Sequence, residues 1–261
     1  MTKKCKTVEK SKIDNLFMRF KVISCRVFVP ELEIILKDAA SGPDEIGIDW
    51  LPLRAHDQPD TLRNEIQLLI DAADAVGTYD AVLLAYGLCG NAVSGIRAGS
   101  IPLYIPRAHD CSHILLGGNT AHKKYFKENP SRGWTSRGYL EEEGDPFRSG
   151  GGENDWDFES LTLKYGEENA CYIRDALHAS DSSGDTVLYY LDVPETGSPE
   201  FLSKARERAE ERGKHLEVIP ATLTLLFRLL GGRGGDEILY VSPGAAIRPS
   251  WDNQIMNSEM E

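Results

Sequence analysis

Three cysteines and a histidine sit at positions suited to thiolate chemistry. Cys89 lies in YGLCG (86–90), His109 and Cys111 in PRAHDC (106–111), and Cys25 in an earlier apolar run, FKVISCRVF (20–28). Thiolate sulfur and imidazole nitrogen together build the tetrahedral shells of zinc, and the same donors hold iron or an iron–sulfur cluster. His109 and Cys111 are one residue apart, and in extended geometry side chains two positions apart point the same way. Cys25, Cys89, His109 and Cys111 are therefore the expected metal ligands, with zinc as the metal and iron or an iron–sulfur cluster as the alternative. Three protein ligands leave a position open for water or substrate, and Cys25 is either a fourth ligand or a nucleophile beside the ion. The pattern lacks the paired C-x-x-C spacing of dedicated zinc modules. Competing readings are catalysis by a thiol alone, and small side chains in a tight core, since free cysteine is among the most buried residue types.

Other groups converge on the same runs. Asp110 is expected to point away from the ion and to orient a neighbour or handle a proton. His56, in Arg54-Ala55-His56-Asp57, is a candidate proton carrier, or else a polar cap before a helix starting at Asp60. Tyr86, Gly87, Gly90, Asn91 and Arg107 are the expected substrate-binding positions. Gly87, Gly90 and Gly95 surround a turn that leads into an expected short helix, NAVSGIRAG (91–99). Such a helix start can cradle an anion. The spacing is not G-x-G-x-x-G and no P-loop lysine follows, which leaves a nucleotide cofactor unsupported and a substrate carboxylate or phosphate allowed. His113 and His122 read as helix-surface residues, and EEEGD (141–145) as a solvated loop.

Seven β-rich apolar runs must position these groups: 20–28, 45–53, 79–87, 101–107, 186–193, 215–221 and 237–244. Most lack polar alternation, the mark of strands covered on both faces. Helices are expected between them over 30–40, over 60–76 with Asp60 as its cap, over 198–214 capped by Ser198, and over 221–232. Alternating strands and helices imply an α/β fold with a doubly wound, mostly parallel sheet. A weak echo between residues 20–90 and 186–244 suggests two Rossmann-like halves. Residues 1–18 read as a tail, 19–129 as the first half, 166–250 as the second and 251–261 as a tail. Residues 130–165 read as a loop insertion, with GGG (150–152) its most mobile point and Trp134 and Tyr139 its anchors. Ligands of such sheets collect beyond the carboxyl ends of the strands, where Cys25, YGLCG and PRAHDC all fall.

The net charge of −12 over 261 residues argues against a nucleic-acid partner, which calls for a basic face. No apolar run approaches the ~20 residues of a membrane span, and no secretory signal is read at the N-terminus. Five cysteines at irregular spacing, Cys5 in the tail and Cys171 on an expected helix among them, form no disulfide framework. A cytoplasmic protein with a small-molecule substrate is the expectation.

The runs ISCRVFVPELE, RAHDQP, YGLCGN, IPRAHDCSHILLGG, YGEENACYI and ILYVSPG resemble an uncharacterised prokaryotic family of unknown function. Its members carry an early Cys and Glu, a YGLC-N-G turn and a PR-HDC-x-x-LLG run. The resemblance covers most of residues 20–245 and implies that Cys25, Cys89, His109 and Cys111 are the family-type positions. Where the family has T-P-G-W, this chain has Ser136-Arg137-Gly138-Tyr139. Members often occur among genes for corrinoid-dependent methyl transfer, which implies a corrinoid protein as a partner. Two classes of function follow. One is a metal-dependent enzyme of methyl or thiol-group transfer. The other is a non-catalytic accessory protein that carries a metal or a corrinoid.

Overall fold

The computed structural model describes residues 18–39, 45–53, 55–130, 132–142 and 186–260, with Thr162, Gly166 and Glu167. Cys5, Arg54, GGG (150–152) and Cys171 lie outside the described residues, as does nearly all of the expected N-terminal tail. No helix among the described residues is long and apolar enough to cross a membrane.

Each of the seven apolar runs contains a strand. The first four and the last build one sheet: β1 (Arg19–Cys25), β2 (Glu45–Leu51), β3 (Ala81–Ala85), β4 (Leu103–Pro106) and β8 (Ile238–Val241). Its order is β2-β1-β3-β4-β8, parallel except for β8, which runs antiparallel to β4. Val22, Ile23 and all of Ala81–Ala85 are buried, as continuous apolar strands between two layers must be. Helices α1 (Val29–Ala39) and α2 (Pro59–Val76) carry the chain between the first three strands. The fold is the doubly wound α/β class that the alternation implies.

A second sheet holds β5 (Trp134–Ser136), β6 (Val187–Asp192) and β7 (His215–Pro220), all parallel. Helices α5 (Arg137–Glu141) and α6 (Pro199–Glu211) accompany it, whereas α7 (Thr224–Leu230) packs against β3, β4 and β8 of the first sheet. The two halves are thus not self-contained repeats, because the last run of the second half pairs with β4 of the first. Residues 132–142 are not a plain loop either, since they supply β5 and α5. Trp134 and Tyr139 meet edge to face with ring centroids 5.7 Å apart and pack on the main core. In the expected C-terminal tail, Met256–Met260 forms β10, antiparallel to β9 (Ala245–Pro249).

Local chemistry corrects some helix starts. Asp60 is not the cap of α2: the cap is Gln58, Pro59 occupies the first turn, and Asp60 instead pairs with Arg63 at 2.7 Å. Proline at the first helical position lacks only an N–H that would have no partner.

Where two strand ends meet: the candidate thiol site

The strand order reverses direction at β1, with β2 on one side and β3 on the other. The crevice at such a switch point is where doubly wound sheets bind ligands. Ser24 pairs with Ala85, so Cys25 and Tyr86 leave the sheet side by side.

Gly87 then lets two turns close on each other. A Cβ there would stand 2.7 Å from the Asp110 nitrogen and 2.9 Å from the Ala108 oxygen. Its absence allows Leu88 N to donate to Ala108 O and Cys89 N to donate to His109 O, both at 2.9 Å. Cys89, Gly90 and Asn91 follow with φ of 45°, 65° and 68°. Left-handed backbone costs a non-glycine residue about 1–2 kcal/mol, and such strain gathers at functional positions. Consecutive turns occupy residues 89–95 in place of the expected short helix, which removes the helix N-terminus as an anion cradle.

The three thiols come together. Cys25, Cys89 and Cys111 are 3%, 6% and 9% exposed, and none is in a disulfide. Cys111 interacts with both of the others. Its S–H on the Cys25 sulfur holds Cys25 below the usual thiol range against the opposing effect of burial. The neighbouring Cys25 and Cys89 thiols, with burial, push Cys111 well up. Tyr86 completes the group. Its phenol is buried, its hydroxyl has no hydrogen-bond partner, and burial followed by the neighbouring Cys25, Cys111 and Cys89 drives its ionisation far up.

His109 takes a different direction from Cys111. The alternation that would aim both at one ion ends at Asp110, because α3 (Cys111–Leu115) starts there. Asp110 Oδ1 accepts from Ser112 Oγ at 2.6 Å and His113 N at 3.0 Å. This is an N-cap, which gives Asp110 a structural task at the start of α3. Asp110→Ala is expected to cost about 1 kcal/mol, measured by denaturant unfolding.

The ring of His109 instead joins His113 and His122. Their centroids lie 5.6 Å, 5.7 Å and 4.4 Å apart, and His113 and His122 are stacked at 13°. His122 also stacks on Phe126, within α4 (Asn119–Phe126). His113 is fully buried, which corrects its reading as a surface residue, and burial lowers its pKa to about 3. Burial lowers His122 as well. The H-x-x-x-H spacing of 109 and 113 across a capped helix start was the signal available for this group.

The remaining candidates are placed apart. Arg107 is a strut: its Nη1 donates to the backbone oxygens of Gln254 and Met256 and to Asn257 Oδ1, tying β4 to the β9–β10 hairpin. These bonds engage Nη1, while Nε is buried without a partner. His56 is exposed in the 3-10 turn Ala55–Asp57 after edge strand β2, with Nε2 3.6 Å from Asp57. Gly90 and Asn91 are exposed, and the Asn91 carbonyl accepts from Arg63 at 2.9 Å.

A second sheet edge faces this one. Thr196, in the turn after β6, donates to Glu31 Oε1 at 3.2 Å, and Arg26 Nε meets Glu142 Oε2 at 2.6 Å. Arg137 donates to Thr196 O at 3.0 Å and pairs with Glu141 at 2.6 Å. Glu141 and Glu142 are therefore ion-pairing residues and not part of a purely solvated loop. Glu31 is 1% exposed with Oε2 unpartnered, and burial raises its pKa to about 7. No reading of the residues singled out Glu31, although a carboxylate two residues into a helix that leaves a cysteine-bearing strand end is a usable signal.

Among known proteins, the family model described as "Protein of unknown function (DUF1638)" matches residues 50–230. The chain belongs to that family. No curated protein and no solved structure matches it.

Proposed function

We propose that this chain is a metal-thiolate enzyme in which Cys25, Cys89 and Cys111 hold one soft metal ion, zinc or iron. The observation that carries this reading is the convergence of three buried thiols, from three separate elements, at the switch point of the sheet. Sulfur donors of this kind select zinc and iron over hard cations. As the side chains stand, no group of three or more His, Cys, Asp or Glu among the described residues is arranged as a metal shell. The thiols direct their protons at one another, and metal uptake displaces those protons. Three donors leave a coordination position open, the hallmark of catalytic over structural zinc.

A bound soft ion keeps a coordinated thiol ionised near neutral pH. The chain's own contributions are the left-handed Cys89 turn, the inward Cys111 at a capped helix start, and burial that excludes water. The association carried by the family resemblance favours methyl or thiol-group transfer in corrinoid one-carbon metabolism, with a corrinoid protein as partner. Reduced, unpaired thiols suit the cytoplasm.

Protein purified without oxygen is expected to contain one equivalent of metal, measured by elemental analysis with a visible spectrum. Colourless zinc and a brown iron–sulfur band separate the two cofactors. Cys111→Ser is expected to lose the metal while keeping its far-ultraviolet dichroism. Wild-type protein that stays metal-free after reconstitution with both zinc and iron sinks the reading.

A further inference from the structure

A cavity of about 760 Å³ lies between the end of α7 and the start of β8. It has the size of a small-molecule site, roughly 300–1,000 Å³. Strand register fixes its place in the fold. Ile238 pairs with Pro106, and Arg107 N donates to Glu237 O at 2.8 Å. Because β8 runs antiparallel, its first residue lies at the carboxyl end of β4. The cavity therefore sits on the sheet edge at which doubly wound folds take ligands. Arg228, Arg233, Asp236 and Glu237 line it, with Gly234 and Gly235 between them.

Two of the four charges satisfy each other, because Arg228 and Glu237 form an ion pair. The other two are spare. Arg233 and Asp236 are exposed, and among the described residues neither side chain makes a hydrogen bond or an ion pair. Asp236 acts on Arg107 only through space. Their loop is held in place. A Cβ on Gly232 would stand 2.4 Å from the Phe20 ring, and one on Gly234 would stand 2.9 Å from Tyr240 Cβ. Gly235 N donates to Ile238 O at 2.9 Å. Close packing on both sides of Arg233 thus presents one unused cation and one unused anion to a single cavity.

We infer that this cavity binds a small zwitterion of the α-amino-acid class, its carboxylate on Arg233 and its ammonium on Asp236. A guanidinium takes a carboxylate through two parallel N–H bonds, and a carboxylate accepts from an ammonium. Charge balance selects a dipolar ligand. A plain anion would gain Arg233 but sit beside the like charge of Asp236, and a plain cation would meet the reverse. A dipolar molecule finds an opposite charge at each end. It also adds no further negative charge to a chain that already carries −12. The inference stands apart from the metal-thiolate reading and needs no metal.

The full chain is titrated by calorimetry with the common L-amino acids, one at a time, and at least one is expected to bind saturably. Two analogues of that amino acid are then titrated: the carboxylic acid without its amino group and the amine without its carboxyl group. Each is expected to bind about tenfold more weakly, the loss of one charge-assisted contact. Arg233→Gln is expected to lose the preference over the amine, and Asp236→Asn the preference over the carboxylic acid. Both variants are expected to keep the wild-type melting point, because both side chains are exposed. A merely structural role would lower the melting point and leave both preferences intact. Absence of saturable binding by every amino acid overturns the inference. So does an acid or an amine that binds as tightly as the amino acid, which marks a simple ion site. Binding that is unchanged in both variants puts the ligand elsewhere and overturns it too. Were a variant to misfold, the comparison of analogues on wild type decides alone.

Discussion

Gly138→Ala is expected to destabilise the protein by about 4 kcal/mol, at the upper end of the cost of overfilling a packed interior. A Cβ at this position would run into the Val27 carbonyl oxygen, with the Val27 carbonyl carbon at 2.9 Å and Pro30 Cδ at 3.1 Å. The obstacle is backbone, held by the 3-10 turn Arg26–Phe28 that follows Cys25, so no rotamer change relieves it. Helix α5 is short, and Ser136 caps it by accepting from Tyr139 N at 3.3 Å. Pushing it outward breaks the contacts made across the same seam, Arg26–Glu142 and Thr196–Glu31. Urea unfolding of the variant measures the loss. A midpoint corresponding to less than about 1 kcal/mol of change would show that the two sheet edges do not need this close approach. The position lies in Ser136-Arg137-Gly138-Tyr139, where the family reads T-P-G-W. The glycine survives the departure because what it must satisfy is a backbone contact, indifferent to the side chains around it.

The same distinction separates what the residues disclose from what they do not. Strands β1 and β3 are legible because two-sided burial writes itself as an unbroken apolar run. The meeting of Cys89 with Cys111 is legible because both follow strands of one parallel sheet, and such strands deliver their exits to one edge. The aim of His109 is not, since it depends on where α3 begins. That boundary is set by one hydrogen bond from His113 N to Asp110, and the Asp reads equally well as a catalytic acid. Arg107 misleads for a related reason. A guanidinium beside a strand end looks like an anion site until a hairpin 147 to 150 residues away presents carbonyls to it. The return of β8 to the first sheet is hidden because periodicity reports burial and not partners. Gly87 reads as a turn residue, but the clash that requires it arises from residues 108–110 of another segment.

Glu31→Gln is expected to remove a slope from the pH dependence of stability and to make the protein more stable above neutrality. The Glu31 carboxyl ionises at about 7 in the folded chain, against an ordinary value of 4.5. Burial is the main cause, offset in part by its own backbone N–H, by the Thr196 hydroxyl and by the charge of Arg137, with Glu141 acting the other way. Between those two values the unfolded chain has released the proton and the folded chain still holds it. Unfolding therefore releases a proton in this window, and stability falls as pH rises from about 4.5 to 7. Below the window the group costs nothing; above it the full penalty is about 3 kcal/mol, from 1.36 kcal/mol per unit of pKa difference. The amide that replaces the carboxyl keeps an oxygen for Thr196 and carries no charge, so the variant escapes the penalty. Unfolding free energies at pH 5 and pH 8 measure it: wild type is expected to lose about 2.5 kcal/mol more than the variant between them, since part of the penalty is already present at pH 5. Equal losses would mean that Glu31 is ionised throughout, with Arg137 as its counter-ion. The chain keeps that cost at the seam between two sheet edges, where the Glu31 carboxyl meets Thr196.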